Sequence, residues 1–351
     1  MCVQVDGISF PTFVIYGNST YVPKSKVLTM KKNDIAAIIL AAGKGTRMKS
    51  DLPKVLHPVC GRPMVLYVLD LVKAIKARRH VVVLGYKAAD VKQVLPAGTR
   101  IAIQKRVVGT ADAVKHAMAA LAGFSGTVIV LYGDAPLLKK ETVQALLKRH
   151  AESGAAATIL TAVMEDPSGY GRILRDDYNS IAGIREDKDA DDFQKEIKEI
   201  NTGIICFDRK KLGSGLKKVR PDNRKKEYYL TDVIKILRDQ GDLIEGVTVK
   251  DAHEALGVNS RVELAQAQAA IRKTINESFM RAGVTIVDPD TTSISHGASI
   301  GADTTIYPFT VVDNFVTIGT QCKIGPFAHI KERSKIRKNT VVVGFPSSYN
   351  T

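Results

Sequence analysis

The chain has 351 residues, 45% of them hydrophobic and 25% charged, with a formal net charge of +15 at pH 7. This length favours two domains, and no uninterrupted apolar stretch approaches the ~18 residues that cross a bilayer, so we predict no membrane partner. The basic runs lack interleaved aromatic residues and tryptophan is absent, which favours small anionic substrates over nucleic acid.

Residues 1 to 30 show no clear period and lack the basic start and apolar core of a secretory signal, so we leave them unassigned. The four cysteines lie far apart, without the C-x-x-C spacing of a metal site, at Cys2, Cys60, Cys206 and Cys322. This usage argues against a disulfide framework and predicts a reducing, cytoplasmic location.

The first strong apolar run ends in a glycine turn with the sequence LAAGKGTRM. Gly43 and Gly45 can adopt positive φ and carry no Cβ, so backbone N–H groups can approach an anion closely. Arg47 and Lys54 follow the turn and add a planar guanidinium and a mobile ammonium. The pattern predicts a phosphate-binding loop; the alternative is an ordinary strand-to-helix glycine turn on a basic surface.

From residue 35 to about 255, short apolar runs alternate with amphipathic helices, which is typical of a mainly parallel sheet covered on both faces. The predicted strands are 35–40, 80–84, 100–104, 127–131, 157–163 and, as a later candidate, 203–207. The predicted helices are 63–79, 111–122 and 142–150. Ligands gather at the carboxyl ends of the strands in such α/β, Rossmann-like folds, where the glycine turn, Gln104 and Asp134 all fall.

After a predicted helix over residues 261–282, aliphatic residues recur at every sixth position. They are Ile294, Ile300, Ile306, Val312, Ile318, Ile324, Ile330, Ile336 and Val342. A period of six fits neither a helix nor an alternating strand, but it is typical of a left-handed parallel β-helix built from hexapeptide repeats. Because each coil buries little surface alone, the array must stack on neighbours or associate with other chains.

Several motifs together resemble one family, and they occur in that family's order and spacing. They are LAAGKGTRMKSDLPKVL, Gln104 to Thr110, Leu131-Tyr-Gly-Asp134-Ala-Pro, Gly169-Tyr-Gly171-Arg, Glu186, Glu199-Ile-Asn201-Thr-Gly203, Glu227-Tyr-Tyr-Leu-Thr231-Asp and Gly257-Val-Asn259-Ser-Arg261. Residues 35 to 345 thus resemble the bacterial bifunctional N-acetylglucosamine-1-phosphate uridylyltransferase and glucosamine-1-phosphate acetyltransferase.

The resemblance implies a role for each matching residue. Catalysis falls to Arg47, which would hold the departing pyrophosphate, and Lys54, which would neutralise the reacting phosphates; Asp134 and Asn259 would hold Mg²⁺. The nucleotide would contact Leu40, Ala41, Ala42, Gly43, Gly45, Thr46, Gln104, Gly109 and Thr110. The sugar phosphate would contact Tyr132, Gly133, Gly171, Glu186, Asn201 and Thr231.

Taken by residue type alone, these side chains keep ordinary alternatives. Asp134 follows a strand and can cap a turn as readily as bind a metal. Glu186 lies in a charged stretch and would otherwise be a surface residue, and Asn259 would be a turn residue. Gln104 carries both a donor and an acceptor, which matches the edge of uracil.

The implied reaction is in-line attack of N-acetylglucosamine 1-phosphate on the α-phosphorus of UTP, which gives UDP-N-acetylglucosamine and pyrophosphate. Two other classes stay open: a nucleotidyltransferase for another sugar or base, and a non-catalytic assembly or regulatory subunit of the same architecture. We expect no acetyl transfer, because the chain carries about three coils and departs from the family after Phe327. A homotrimer through the short β-helix is a further expectation.

The same analysis predicts the domain organisation. Its parts are an extension over 1–30, a nucleotidyltransferase domain over 31–260, a linking helix over 261–284, a β-helix over 285–345 and a tail over 346–351.

Overall fold

The computed structural model describes residues 35 to 344. The predicted extension over 1–30 and the predicted tail over 346–351 lie outside these residues. Within the described range, no helix combines the length and apolar character needed to cross a membrane.

The first part of the chain alternates strands and helices. Its strands are β1 (Ile35–Ala41), β2 (Pro58–Val59), β3 (Arg62–Pro63), β4 (Arg79–Leu84), β5 (Arg100–Ile103), β6 (Thr127–Tyr132), β7 (Ala157–Val163), β8 (Gly171–Arg175), β9 (Ile181–Arg185), β10 (Glu199–Asp208) and β11 (Ile244–Thr248). Its helices are α1 (Met64–Ala74), α2 (Ala88–Val94), α3 (Thr110–Ala120), α4 (Lys140–Ser153), α5 (Asp192–Lys195), α6 (Arg209–Leu216), α7 (Asp232–Asp239) and α8 (Ala252–Ala255).

Most neighbouring strands of the main sheet run parallel, in the order β11-β7-β10-β6-β1-β4-β5. Strand β10 is antiparallel to both β6 and β7. Strand β1 lies between β4 and β6, so that Ile38 is opposite Val81 on one side and Val130 on the other. The predicted fold class is therefore confirmed.

Alternation along β1 divides the core into two layers. Ala36, Ile38 and Leu40 pack in one apolar cluster with residues of α3, α6 and α7. Ala37 and Ile39 pack in the opposite cluster with residues of α1 and α4. Successive side chains of a strand point to opposite faces, so a continuous apolar run is what a strand covered on both faces requires.

Three predicted elements have an end that is wrong by three residues or more; one of them is α4, which ends at Ser153 rather than at residue 150. Helix α1 ends at Ala74 rather than at Arg79, because Lys76 adopts a positive φ of 57° and breaks the helical path. Strand β10 begins at Glu199, four residues before the predicted start, and its pairing with β7 shifts register between Asn201 and Ile205.

The second part is a parallel β-helix of two-residue strands. They are β12 (Thr285–Ile286), β13 (Ser293–Ile294), β14 (Ser299–Ile300), β15 (Thr305–Ile306), β16 (Val311–Val312), β17 (Thr317–Ile318), β18 (Lys323–Ile324), β19 (His329–Ile330), β20 (Lys335–Ile336) and β21 (Val341–Val342). They stack as three sheets, β12-β15-β18-β21, β13-β16-β19 and β14-β17-β20. The predicted hexapeptide repeats are confirmed, because partners such as Ile306 and Ile324 are 18 residues apart and pack in one interior cluster.

A helix of 21 residues, α9 (Arg261–Arg281), joins the two parts. Near its middle, Ala267 and Ile271 pack against the β2–β3 hairpin. Near its end, Ile275 and Phe279 pack on the interior cluster of the β-helix. The buried Asn276 donates from Nδ2 to the carbonyls of Pro289 and Thr292 at 2.9 and 3.0 Å, which secures the helix to the first coil.

Candidate active site

A cavity of about 400 Å³ opens at the carboxyl ends of β1 and β6. It is lined by most of the residues that the sequence pattern selected: Leu40, Ala41, Ala42, Gly43, Lys54, Gln104, Gly109, Thr110, Tyr132, Asp134, Gly171, Glu186, Asn201, Thr231 and Asn259. Four selected residues are not among the residues that line it: Gly45, Thr46, Arg47 and Gly133. The geometry thus brings together residues from widely separated stretches of the chain, from Leu40 to Asn259.

The Lys54 ammonium joins the two predicted metal ligands. Its Nζ forms an ion pair with Asp134 Oδ2 and donates a hydrogen bond of 3.0 Å to Asn259 Oδ1. Both charged side chains are largely buried, at 16% and 8% exposure. Removal of one of two opposite charges that are this deeply buried would leave the other unpaired, which is strongly unfavourable. These three side chains therefore act as one polar unit.

The oxygens of this unit fit a magnesium ion. Asp134 Oδ1 is buried and has no hydrogen-bond partner within residues 35–344, and Asn259 supplies a neutral amide oxygen beside it. Mg²⁺ prefers oxygen ligands, keeps several waters, and is commonly held by one or two protein groups together with substrate phosphates. No group of three or more His, Cys, Asp or Glu side chains suited to a metal occurs in the described part of the chain, which leaves this pair as the candidate ligands.

The glycine turn works through its second glycine. Gly45 has a φ of 67°, and a Cβ there would lie 2.5 Å from the Cβ of Lys54. Gly43 does not adopt positive φ, although a glycine could do so, and a Cβ there would meet no atom within 4 Å. The absence of a side chain at Gly45 therefore lets Lys54 pack against the turn. The absence of a side chain at Gly43 leaves that part of the cavity wall open.

The turn continues as a single 3-10 turn over Thr46–Met48, which leaves Arg47 exposed beyond the cavity. Within residues 35–344 no hydrogen bond or ion pair holds its guanidinium. The nearby Met48 carbonyl accepts a hydrogen bond of 3.2 Å from Arg261 Nε at the start of α9. Helix α9 therefore holds the turn through this hydrogen bond, and the exposed Arg47 side chain remains accessible to a ligand.

Gln104 lines the cavity and is 2% exposed. Its Nε2 donates to the Gly109 carbonyl at 3.0 Å and to Asp112 Oδ2 at 2.8 Å. Gly109 has a φ of 126° and packs so tightly on the backbone of Tyr228 that any side chain there would collide. The segment from 104 to 110 is thus held rigidly against the segment around 228.

Glu186 also lines the cavity. Its Oε1 accepts a hydrogen bond of 2.9 Å from the Thr231 hydroxyl. Burial raises the pKa of the Glu186 carboxyl, and the Thr231 hydrogen bond partly opposes this rise. A desolvated carboxylate with one free oxygen beside Asn201 is a suitable acceptor for sugar hydroxyl groups.

Arg172 holds cavity-lining segments in place and was not selected from the sequence. Its guanidinium is 2% exposed and donates to the Tyr170 carbonyl, to Asp187 Oδ1 at 3.2 Å and to the Lys195 carbonyl at 3.4 Å. These bonds tie the loop before β8 to the loop after β9. The Gly-Tyr-Gly-Arg motif includes this residue, but the sequence does not show whether an arginine is buried or exposed.

Comparison with known proteins agrees with this geometry. A MobA-like NTP transferase domain matches residues 37–200, and six bacterial transferase hexapeptide repeats match residues 297–332. Among curated proteins, the chain is similar to the "Bifunctional protein GlmU" of Bacillus velezensis, at 47% identity over 87% of this chain and 67% of that protein. The GlmU proteins of Geobacillus thermodenitrificans and Shouchella clausii are 47% and 43% identical, over 84% and 88% of this chain.

The chain spans only part of the length of these relatives. The matches cover 67%, 64% and 75% of the three proteins.

A matched pair of glycine substitutions tests the architecture of the turn. We expect Gly45→Ala to displace Lys54 and to lower both thermal stability and turnover, because the new Cβ combines a steric collision with a strained φ. Gly43→Ala should leave the melting temperature within about 1 °C of that of the parent, since surface changes without collisions cost little. Differential scanning calorimetry and turnover assays on both variants measure this; equal effects of the two changes would contradict it.

Asp232 provides a pH-dependent test of stability. This carboxyl lies near Glu186 and Asp189, and burial, followed by those two charges, raises its pKa to about 6. Because the pKa of Asp232 is higher in the folded than in the unfolded protein, protonation of this carboxyl favours folding. This contribution to stability is fully present below pH ~4 and is lost as the pH rises through about 6. We expect Asp232→Asn to raise the melting temperature by a few degrees at pH 7.5 and by nothing at pH 4.

Circular dichroism melts across this pH range measure the effect. Asp177→Asn, which changes an exposed carboxyl elsewhere, is the control. A stabilisation by Asp232→Asn that is the same at pH 4 and pH 7.5 would contradict the assignment.

Proposed function

The chain belongs to the family of bifunctional GlmU proteins, and on this basis we propose that its cavity transfers UMP from UTP to N-acetylglucosamine 1-phosphate. The products are UDP-N-acetylglucosamine and pyrophosphate. The observation that carries the proposal is the Lys54 ammonium shared by Asp134 and Asn259. It lies in one cavity whose lining also includes Gln104 and Glu186.

The proposed reaction needs no covalent bond to the protein. A phosphate oxygen of the sugar phosphate attacks the α-phosphorus of UTP, and the bond from that phosphorus to the pyrophosphate oxygen breaks. The protein must hold two anions together and offset the charge that develops between them. Lys54 is the buried cation placed to do so.

Each remaining part of the site then has a task in the proposal. Backbone N–H groups beside Gly43 contact the triphosphate, and Arg47 at the rim binds the departing pyrophosphate. Gln104 binds the base, while Glu186 and Asn201 orient the hydroxyl and acetamide groups of the sugar. Asp134 and Asn259 would hold Mg²⁺, which supplies charge neutralisation and alignment of phosphate oxygens when bound.

The proposal extends to the setting of the reaction. Three buried cysteines within the described residues are free thiols, which supports a reducing, cytoplasmic location. The β-helix supports association of chains, and a homotrimer is the proposed assembly. The expected lack of acetyl transfer stays a prediction, and release of free thiol from acetyl-coenzyme A in the presence of glucosamine 1-phosphate would contradict it.

A substrate panel tests the proposed function. Purified protein is incubated with Mg²⁺, one of UTP, CTP, dTTP or ATP, and N-acetylglucosamine, glucosamine or glucose 1-phosphate, while pyrophosphate release is followed. We expect the fastest release with UTP and N-acetylglucosamine 1-phosphate. A faster combination would identify another sugar nucleotidyltransferase, and no release with any pair would favour a non-catalytic subunit.

Substitution of Lys54 tests the central role. We expect Lys54→Met to lower kcat by about 100-fold or more, because a cation that stabilises the transition state is lost. Lys44→Met, which removes an exposed cation from the same loop, is the matched control and should change kcat by less than about twofold. Steady-state kinetics with a circular dichroism check of folding measure both variants; an unchanged kcat for Lys54→Met would remove Lys54 from this role.

A further inference from the structure

The orientation of the Gln104 side-chain amide is set by its protein neighbours before any ligand binds. Nε2 lies between two acceptors, the Gly109 carbonyl at 3.0 Å and Asp112 Oδ2 at 2.8 Å. A carbonyl oxygen in that place would face two other oxygens without a proton to share. Only the amide NH₂ satisfies both neighbours, and it uses both of its hydrogens to do so.

The Gln104 carbonyl oxygen is therefore the group that the side chain offers to the cavity. A free glutamine is ambiguous, because rotation of the amide by 180° exchanges donor and acceptor. Here the rotation would break both bonds inside a residue that is 2% exposed, where unpaired polar groups are costly. The side chain thus presents an acceptor and not a donor.

We propose that Asp112 is a specificity-determining residue, which selects uracil over cytosine by fixing the acceptor of Gln104 towards the base. This inference rests on the proposed function and on the assignment of Gln104 to the base. Uracil carries a donor, N3–H, on its pairing edge, whereas cytosine carries an acceptor at N3. An acceptor held in one orientation towards this position accepts a hydrogen bond from uracil N3–H and is repelled by cytosine N3. Thymine shares the N3–H group, so this device does not separate the two.

The contribution of Asp112 is separable from that of Gly109. The Gly109 carbonyl belongs to the backbone and remains in any variant, whereas Asp112 is the third residue of α3 and contributes a side chain alone. In Asp112→Asn the new amide can donate to the Gln104 oxygen or accept from its nitrogen, so the reversed orientation of Gln104 gains a partner and is opposed only by the Gly109 carbonyl. The substitution preserves size, which protects the fold.

The test measures kcat/KM for UTP and CTP with N-acetylglucosamine 1-phosphate. We expect Asp112→Asn to lower the ratio of the UTP value to the CTP value by about tenfold, largely through better use of CTP. Asp112→Ala, which leaves the Gly109 bond alone to hold Gln104, should lower the ratio by a smaller factor. Lys115→Ala, on the exposed face of the same helix, is the control and should leave the ratio unchanged. Nucleotide dissociation constants from isothermal titration calorimetry provide a second readout that does not depend on turnover.

The outcomes distinguish this proposal from the proposed function. If both Asp112 variants lose UTP and CTP activity in equal proportion, with both dissociation constants raised equally, Asp112 has a structural role only and the inference is wrong. If the parent protein uses UTP well but the ratio is the same in every variant, the inference is wrong while the function stands. If the parent protein transfers no uridylyl group, the proposed function itself fails.

Discussion

The site depends on one cation shared by two oxygen ligands from distant parts of the chain. Lys54 follows the glycine turn, Asp134 follows β6, and Asn259 precedes α9. A buried charge without a partner is strongly unfavourable, so the three segments must meet for any of them to be stable there. The constraint explains why Gly45 lacks a side chain and why Gly257 packs against the Asp134 carboxylate. The geometry proposed for catalysis and the local stability of the fold therefore depend on the same contacts.

Much of the architecture could be predicted because its signals are local. A continuous apolar run such as Ile35 to Ala41 is what a strand buried on both faces needs, and a period of six is distinctive of stacked coils. The antiparallel direction of β10 could not be predicted, because strand direction depends on how distant segments pair. The early end of α1 was also missed, since the left-handed conformation of Lys76 has no signal in residue type: lysine is not a residue that favours it.

The candidate site divides in the same way. Most residues selected from compact motifs line the cavity, because the backbone that carries them forms the cavity wall, whereas Gly45, Thr46, Arg47 and Gly133 do not; the roles of all of them stay predictions. Arg172 and Asp112 were missed, since each acts through a partner that only folding brings near: the carbonyls and carboxylate around Arg172, and the amide of Gln104. Arg47 was selected by its motif, yet it lies at the rim without a protein partner in the described residues. Its proposed role can therefore be seen only with a ligand present.

Helix α9 connects the cavity to the β-helix, which also contacts the β2–β3 hairpin directly through the backbone N–H of His296 and the side chain of Asn314. Its first residues stand in a capping box, in which Ser260 and Glu263 bond each other's backbone, and Glu263 also accepts from the backbone N–H of Asn259. Its last turns are fastened to the first coil through Asn276. At 1.5 Å per residue this rod is about 30 Å long, and a helix of that length transmits displacement with little bending. Loosening of the coils would therefore displace Asn259, so the repeat array supports a cavity that lies a helix length away.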